Sequence, residues 1–328
     1  MAASGIPRYP QETSVPSHLV IGAGQIGRPL AERLATRGDT VTIATRSGSS
    51  ARGATSISLD ARDALALSSA AADVDTIFLC TNPPYTTWTT EWPPIFDAAI
   101  AAAASSGAGL VIMGNLYAYG PPSGPMTEHS PLVTTETKGL VRKAGWEKAL
   151  AAHERGELRA VEVRASDYFG PGATATAHLG ARFFEPLLAS RTARVIGDPA
   201  LTHSWSYLPD IVSTLIAAGD HQGGWGHAWH VPSNAPLART EIAAQVNERW
   251  DVSGEVAGIP QWLLRTMGLV SPMMREVAAS SYQFRVPFVI DSADTERTLG
   301  ISATPFDVAL AATVESYRTS RAREPGSR

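Results

Sequence analysis

The chain of 328 residues has one cysteine, Cys80. A single thiol excludes an intrachain disulfide framework and lacks the companions of a structural zinc site, so Cys80 is expected in a packed strand and no metal is expected. An excess of charge is also missing: 27 Lys and Arg against 31 Asp and Glu give a formal net charge of −4, with an isoelectric point near 6.1. That balance leaves no basic footprint for nucleic acid. Long apolar runs are absent too. The alanine-rich stretch 98–104 is interrupted by Ser105, Ser106 and Gly107 and is too short to span a bilayer. Residues 1–16 carry no basic segment followed by an apolar one, so they read as a flexible leader and not as a secretion signal. The expectation is a soluble, cytoplasmic protein without nucleic-acid or membrane partners, ending in a flexible tail over 319–328.

What the chain does have is a glycine-rich turn in a specific setting. An apolar strand over 19–21 runs into Gly22-Ala23-Gly24-Gln25-Ile26-Gly27, and a helix follows to Arg37 with Ile26, Leu30, Ala31 and Leu34 on one stripe. The first glycine allows a tight strand-to-helix turn, the second lets backbone N–H groups approach a pyrophosphate, and the third permits close helix packing. The helix points its positive end at the phosphates. Gly22, Gly24, Gln25, Ile26 and Gly27 are therefore candidate dinucleotide contacts. After the next strand, where an acid would bond the ribose 2′-hydroxyl of NAD, the sequence has Thr45-Arg46-Ser47. A guanidinium beside a hydroxyl suits a 2′-phosphate, which predicts NADP(H) in preference to NAD(H).

Further apolar strands over 56–59, 76–80, 110–113 and 158–164 alternate with helices over 61–71, 94–104 and 139–155. This rhythm predicts an α/β fold, a doubly wound parallel sheet of the Rossmann type. Beyond Gly170 it loosens into a smaller C-terminal substrate lobe. The dinucleotide-binding part is expected over 17–170 plus about 194–232, and the lobe over 171–193 plus 233–318.

Three separated signatures carry a resemblance. They are Arg164-Ala165-Ser166-Asp167-Tyr168-Phe169-Gly170-Pro171-Gly172, Trp205-Ser206-Tyr207-Leu208-Pro209-Asp210-Ile211, and the stretch from Asp294 to Gly300 followed by Pro305. Over roughly 18–318 the chain resembles the extended short-chain dehydrogenase/reductase superfamily, of the NAD-dependent epimerase/dehydratase type. The resemblance implies that Asp60 and Ala61 cover the adenine, that Cys80, Thr81 and Asn82 line the pyrophosphate and nicotinamide ribose, and that Ala165, Ser166 and Asp167 border the nicotinamide and substrate. Asp60 is equally readable as a helix N-cap, and Asp167 as a turn residue. The resemblance also implies pairing through two helices per subunit, hence a homodimer.

Departures from the family pattern bear on mechanism. Ile21 stands at the usual first glycine. Counting back from Tyr119-Gly120 puts Asn115 at the catalytic Ser/Thr, where an amide can still donate one hydrogen bond to a substrate carbonyl. Aligning Glu147-Lys148-Ala149-Leu150 with the usual E-x-x-L puts Lys143, with Arg142 beside it, at the lysine of Y-x-x-x-K, and Gly139 at the tyrosine. The usual general acid is then missing. Tyr117 is the first candidate substitute, its bland alternative being a pocket wall or core aromatic. Tyr119 is expected to serve packing. Lys143 either touches the cofactor ribose or is an ordinary exposed helix residue.

Tyr85, Trp88 and Trp92, in a loop after the fourth strand, join Tyr168, His203 and Trp205 as expected walls of an apolar, aromatic pocket for a ring-bearing small molecule. His203 stands where nucleotide-sugar members often have arginine. The leading functional expectation is an NADP(H)-dependent reductase of a small, largely apolar carbonyl or enone. An epimerase or isomerase with tightly held cofactor, and a non-catalytic NADP(H) or metabolite sensor, remain as alternatives on the same fold.

Overall fold

The computed structural model describes residues 15–174, 177–260, 262–263, 266 and 281–323. In chain order it runs β1 (Ser17–Ile21), α1 (Gly27–Arg37), β2 (Thr40–Thr45), β3 (Thr55–Ser58), α2 (Ala64–Ala70), β4 (Thr76–Leu79), α3 (Trp88–Ser106), β5 (Gly109–Asn115) and α4 (Thr137–Glu154). There follow β6 (Arg159–Ala165), β7 (Asp167–Phe169), α5 (Ala181–Leu188), β8 (Ala193–Ile196), β9 (Trp205–Tyr207), α6 (Leu208–Asp220), β10 (Ala228–His230), α7 (Arg239–Trp250) and β11 (Val256–Ile259). Helices Ala293–Leu299 and Phe306–Arg323 close the described chain.

Seven strands form one parallel sheet in the order β10-β6-β5-β4-β1-β2-β3. Its central strands β4 and β5 are apolar and buried almost throughout, as a sheet covered on both faces requires. One face packs under α2, α3 and α4, the other under α1 and α6. The order in which strands are added reverses between β1 and β4. This is the switch point at which doubly wound sheets open a ligand crevice beyond the strand carboxyl ends.

A separate core of Phe183, Phe184, Leu187, Val246, Leu310 and Val314 holds the C-terminal lobe together. There β8 pairs with β11, and a short β7–β9 ribbon bridges toward the main sheet. The chain returns to the main sheet with α6 and β10, later than the expected residue 194.

Two element boundaries also differ from expectation. The helix α3 begins at Trp88 and contains Pro93 and Pro94, so the prolines do not mark its start. The final helix continues through 319 to Arg323, so the expected tail is helical at its beginning. Residues 1–14 and 324–328, the bulk of the expected leader and the end of the tail, lie outside the described residues. Among the described residues no helix is long and apolar enough to cross a membrane.

Candidate active site and dinucleotide cleft

The glycine turn is closed on one side and open on the other. A Cβ at Gly22, whose φ is +102°, would lie 2.8 Å from the backbone of Thr81, and one at Gly27 would lie 2.0 Å from the Gly22 carbonyl oxygen. A Cβ at Gly24 would meet nothing within 4 Å. The turn is thus pressed against the end of β4 while its middle faces free space, the shape a pyrophosphate needs. Ile26 precedes α1 and supplies no side-chain cap; in the first turn the Arg28 and Leu30 N–H groups donate to the Gly24 and Ile26 carbonyls and Pro29 has none, so the turn faces the cleft chiefly with the N–H of Gly27. The Gln25 amide oxygen accepts the Thr174 N–H at 3.1 Å, tying the turn to the chain leading into the lobe. Part of the Cys80 surface is exposed, yet its thiol is enclosed and burial pushes it up to about 12. Thr81 and Asn82 follow along the mouth of the cleft, Asn82 exposed.

At the end of β2 the Thr45 hydroxyl accepts the Ser49 N–H at 2.8 Å, and the hydroxyls of Ser47 and Ser49 are 2.8 Å apart. Arg46 is exposed beside them. Asp60 binds Arg62 through side-chain contacts as short as 2.6 Å, and this pair, with a backbone bond from Arg62 and the nearby charge of Arg46, holds its carboxyl at about 2. The N-cap of α2 is Asp63, which accepts from the N–H groups of Leu65 and Ala66, so the capping alternative for Asp60 is overturned. Ala61 packs partly buried under the α2 side of the sheet.

At the end of β5 the Asn115 side-chain oxygen accepts the Tyr117 N–H at 3.1 Å, which orients the amide and leaves its NH2 as a donor. The Tyr117 and Tyr85 hydroxyls are 2.9 Å apart. Burial pushes the phenols of Tyr85, Tyr117 and Tyr168 upward, so all three are protonated at neutral pH. Gly139 has no room for a side chain, since a Cβ would lie 2.3 Å from the Thr134 hydroxyl and 2.5 Å from the Tyr117 carbonyl oxygen.

Helix α4 presents Lys138, Arg142, Trp146 and Ala149 inward at helical spacing, not Lys143. The Lys143 ammonium instead donates to the Leu132 carbonyl at 2.8 Å and lies 3.7 Å from Glu147. The lysine expected at the cofactor thus points along the helix flank. Arg142, fully enclosed, donates to the Met113 carbonyl, lies 3.7 Å from the Glu162 carboxylate and stacks 4.4 Å from the Trp92 ring centre. Lys138 lies 3.2 Å from Glu136 and 5.5 Å from the Tyr85 ring centre. Of the aligned pair, Gly139 is buried beside Lys138, while Lys143 is only partly covered. Two cations at i and i+4 on an otherwise apolar stripe were the available signal.

At the end of β6 the Ser166 N–H donates to the Ser206 hydroxyl at 2.9 Å, beside the buried Ala165. Asp167 lies 2.7 Å from His203 and 3.8 Å from His178. Burial alone would raise its carboxyl, but the combined pull of His178, His203 and Arg239 overrides this and leaves it below the usual carboxylate range.

Four expected pocket walls are core residues. His203 is 3% exposed and stacks between Phe284 and Phe288 at 5.0 and 5.2 Å, while Trp205 is buried with its indole N–H donating to the Leu237 carbonyl. Trp88 and Trp92, at 3% and 1% exposure, form the inner face of α3. Trp88 still backs the site by packing 4.9 Å from the Tyr85 ring. Tyr119 does more than pack: its hydroxyl accepts from Arg164 at 2.7 Å and lies 2.8 Å from His230. Beyond the expected set, Lys138, His178, Arg239 and Tyr282 also converge on Asp167, Tyr85 or Glu136. Among the described residues, the buried Tyr282 hydroxyl and Arg239 Nη1 have no hydrogen-bond partner.

Solved structures of similar fold include UDP-glucose 4-epimerase of Thermotoga maritima, at TM-score 0.77 and 15% identity over 93% of this chain and 99% of that one. The dTDP-glucose 4,6-dehydratase DesIV of Streptomyces venezuelae, solved with NAD, gives 0.75 and 20% over 94% and 99%. UDP-glucuronic acid 4-epimerase of Bacillus cereus, also solved with NAD, gives 0.75 and 14% over 93% and 99%. No curated protein sequence is significantly similar to the chain. The family model for the NAD dependent epimerase/dehydratase family matches residues 18–231, the glycine turn through β10, and the chain belongs to that family.

Proposed function

We propose that the chain is an NADP(H)-dependent reductase of a small, largely apolar or ring-bearing carbonyl or enone. The observation that carries this reading is the pair of protonated phenols, Tyr85 and Tyr117, beside the free amide donor of Asn115. Oxidation of an alcohol starts by removing a proton, whereas reduction of a carbonyl ends by delivering one. A phenol that is protonated at neutral pH has a proton to deliver, and a neighbour that supports its phenolate offsets the weakening that burial imposes. A bound nicotinamide dinucleotide would supply the hydride. The glycine turn fits its pyrophosphate, with Gly22, Gly24, Gln25, Ile26 and Gly27 at the phosphates and Cys80, Thr81, Asn82, Ala165 and Ser166 along the nicotinamide half. Thr45, Arg46 and Ser47 would hold the ribose 2′-phosphate, with Asp60 and Ala61 at the adenine.

In this reading Asn115 polarises the carbonyl oxygen, a Tyr117–Tyr85 phenol gives it a proton, and Arg142 replaces Lys143 as the inward cation of α4. Tyr168 borders the substrate. Following NADPH absorbance with a panel of quinones, enones and aryl ketones tests the proposal: substrate-dependent NADPH loss is expected, and no loss with any member would overturn it.

Asp167 supports a second reading. A carboxylate kept ionised at the substrate edge can accept the proton of an alcohol, which an epimerase needs at its first step. Isomer formation with catalytic NADP or NAD, without net absorbance change, would favour it.

A further inference from the structure

We infer that Tyr85, not Tyr117, hands its proton to the substrate oxygen, with Tyr117 hydrogen-bonded behind it and Lys138 facing its ring. The inference rests on the reductase reading. Tyr85 opens the single turn Tyr85–Thr87 after β4, and Tyr117 opens the turn Tyr117–Tyr119 after β5. Because β4 and β5 are paired neighbours, the two turns lie side by side and bring the hydroxyls to 2.9 Å. Tyr117 is fixed at both ends of its peptide unit, its N–H on Asn115 and its carbonyl against Gly139.

The two phenols differ in what surrounds them. Lys138 stands 5.5 Å from the Tyr85 ring centre and is anchored by Glu136 at 3.2 Å. Arg142 from the same helix favours the Tyr85 phenolate, Asp167 and Glu136 oppose it, and the protonated phenol of Tyr168 from β7 lies within electrostatic reach. Either hydroxyl of the pair can donate to the other, and Asp167 disfavours charge on both. The geometric difference between them is the Lys138 ammonium at the Tyr85 ring, a cation that favours the phenolate left when Tyr85 gives up its proton.

The step balances simply. A bound NADPH would supply the hydride for the new C–H bond, and the substrate oxygen, receiving the carbonyl π pair, takes the Tyr85 proton. The remaining phenolate accepts the Tyr117 O–H and is later reprotonated by water. The phenol and cation that one helix supplies through Y-x-x-x-K would here come from two elements, the β4 turn and the start of α4.

Biosynthetic replacement of tyrosine by a difluorotyrosine lowers phenol titration into an accessible alkaline range and gives each ring its own fluorine resonance. Tyr85→Phe and Tyr117→Phe assign the two signals, and either variant alone suffices if the other does not fold. We expect Tyr85 to titrate below Tyr117, and Lys138→Met to raise the Tyr85 midpoint by about one pH unit. Tyr117 titrating first, or a Tyr85 midpoint unmoved in Lys138→Met, overturns the inference. This readout needs no substrate, so a carbonyl panel without turnover would remove the reductase reading while the order of the phenols is still decided. With a reducible carbonyl in hand, Tyr85→Phe should lower kcat by about 10²-fold or more with the NADPH KM unchanged. Tyr117→Phe should lose less and shift the pH profile upward.

Discussion

At the scale of single residues, the space around a position says more than its alignment. Gly139, set opposite the family tyrosine by counting, sits where the Tyr117 carbonyl and the Thr134 hydroxyl both lie within 2.5 Å of any added carbon. Restoring a tyrosine there would not restore an acid. Even Gly139→Ala should cost about 1–3 kcal/mol through forced displacement, read as a lower urea midpoint; an unchanged midpoint would contradict this packing. Tyr119→Phe removes a hydroxyl on which Arg164 and His230 both depend. Its cost should be about 1–3 kcal/mol, where a purely packing role would make it neutral. Arg46 is the residue most legible in the sequence, since its place at the end of β2 followed from the strand pattern alone. On the proposed NADP(H) reading, Arg46→Ala should weaken NADPH about tenfold or more and leave NADH nearly unchanged, because only a 2′-phosphate would lose a charge-assisted contact. Equal losses in a titration of both cofactors would remove Arg46 from that role.

Secondary structure elements were readable where pattern and burial agree. The β1–α1–β2 unit and the apolar strands β4 and β5 came out of the sequence because both sheet faces are covered and glycine marks the turn. The start of α3 did not, because prolines read as breakers. Here Pro93 and Pro94 lie inside the helix, and the carbonyls that lose their donors belong to the solvent-exposed Thr89 and Thr90, where water can replace them. The inward cations of α4 are not readily legible in the sequence because burying Lys138 and Arg142 inverts the usual rule that charge marks the outer face. Arg142 is tolerated there because Trp92, the Met113 carbonyl and Glu162 surround it. The α3–α4 contact is close: a Cβ at Gly145 would lie 2.1 Å from the Phe96 ring. Gly145→Ala should therefore destabilise by about 1–3 kcal/mol, and in combination with Phe96→Leu by less than the sum of the two single changes. Additive losses in a denaturation cycle would mean that the two helices do not meet there.

On the scale of the whole molecule, one buried chain of polar groups joins the dinucleotide half to the C-terminal lobe. It runs from Arg142 through Glu162, Arg164 and Tyr119 to His230, whose second ring nitrogen meets the Asp291 carbonyl at 2.9 Å. The neutral ring fits this place by accepting from Tyr119 and donating to Asp291. Burial, partly offset by Glu128, lowers the His230 pKa from 6.5 to about 4. The folded state refuses a proton that the unfolded chain accepts, so stability is intact above about pH 6.5 and declines as pH falls toward about 4. The loss should be on the order of 3 kcal/mol, and His230→Asn should flatten that part of a urea-midpoint profile. A variant with the wild-type slope would move the acid sensitivity elsewhere. The aromatic residues around the lobe were the least legible part of the site, since Trp and His at a cleft look the same in sequence whether they line it or fill the layer behind. Cys80, finally, makes the molecule its own stopwatch. A Cβ at Gly27 would lie 3.2 Å from the Cys80 Cβ, so this partly exposed residue sits against the phosphate turn. Burial raises its thiol to about 12, so a maleimide labels it slowly. With one thiol per chain, each molecule gains one mass increment or none, and the labelling half-time reports how open that side of the cleft is. A ligand that covers the turn should lengthen that half-time in proportion to its occupancy, giving an affinity scale for cofactors before any substrate is known.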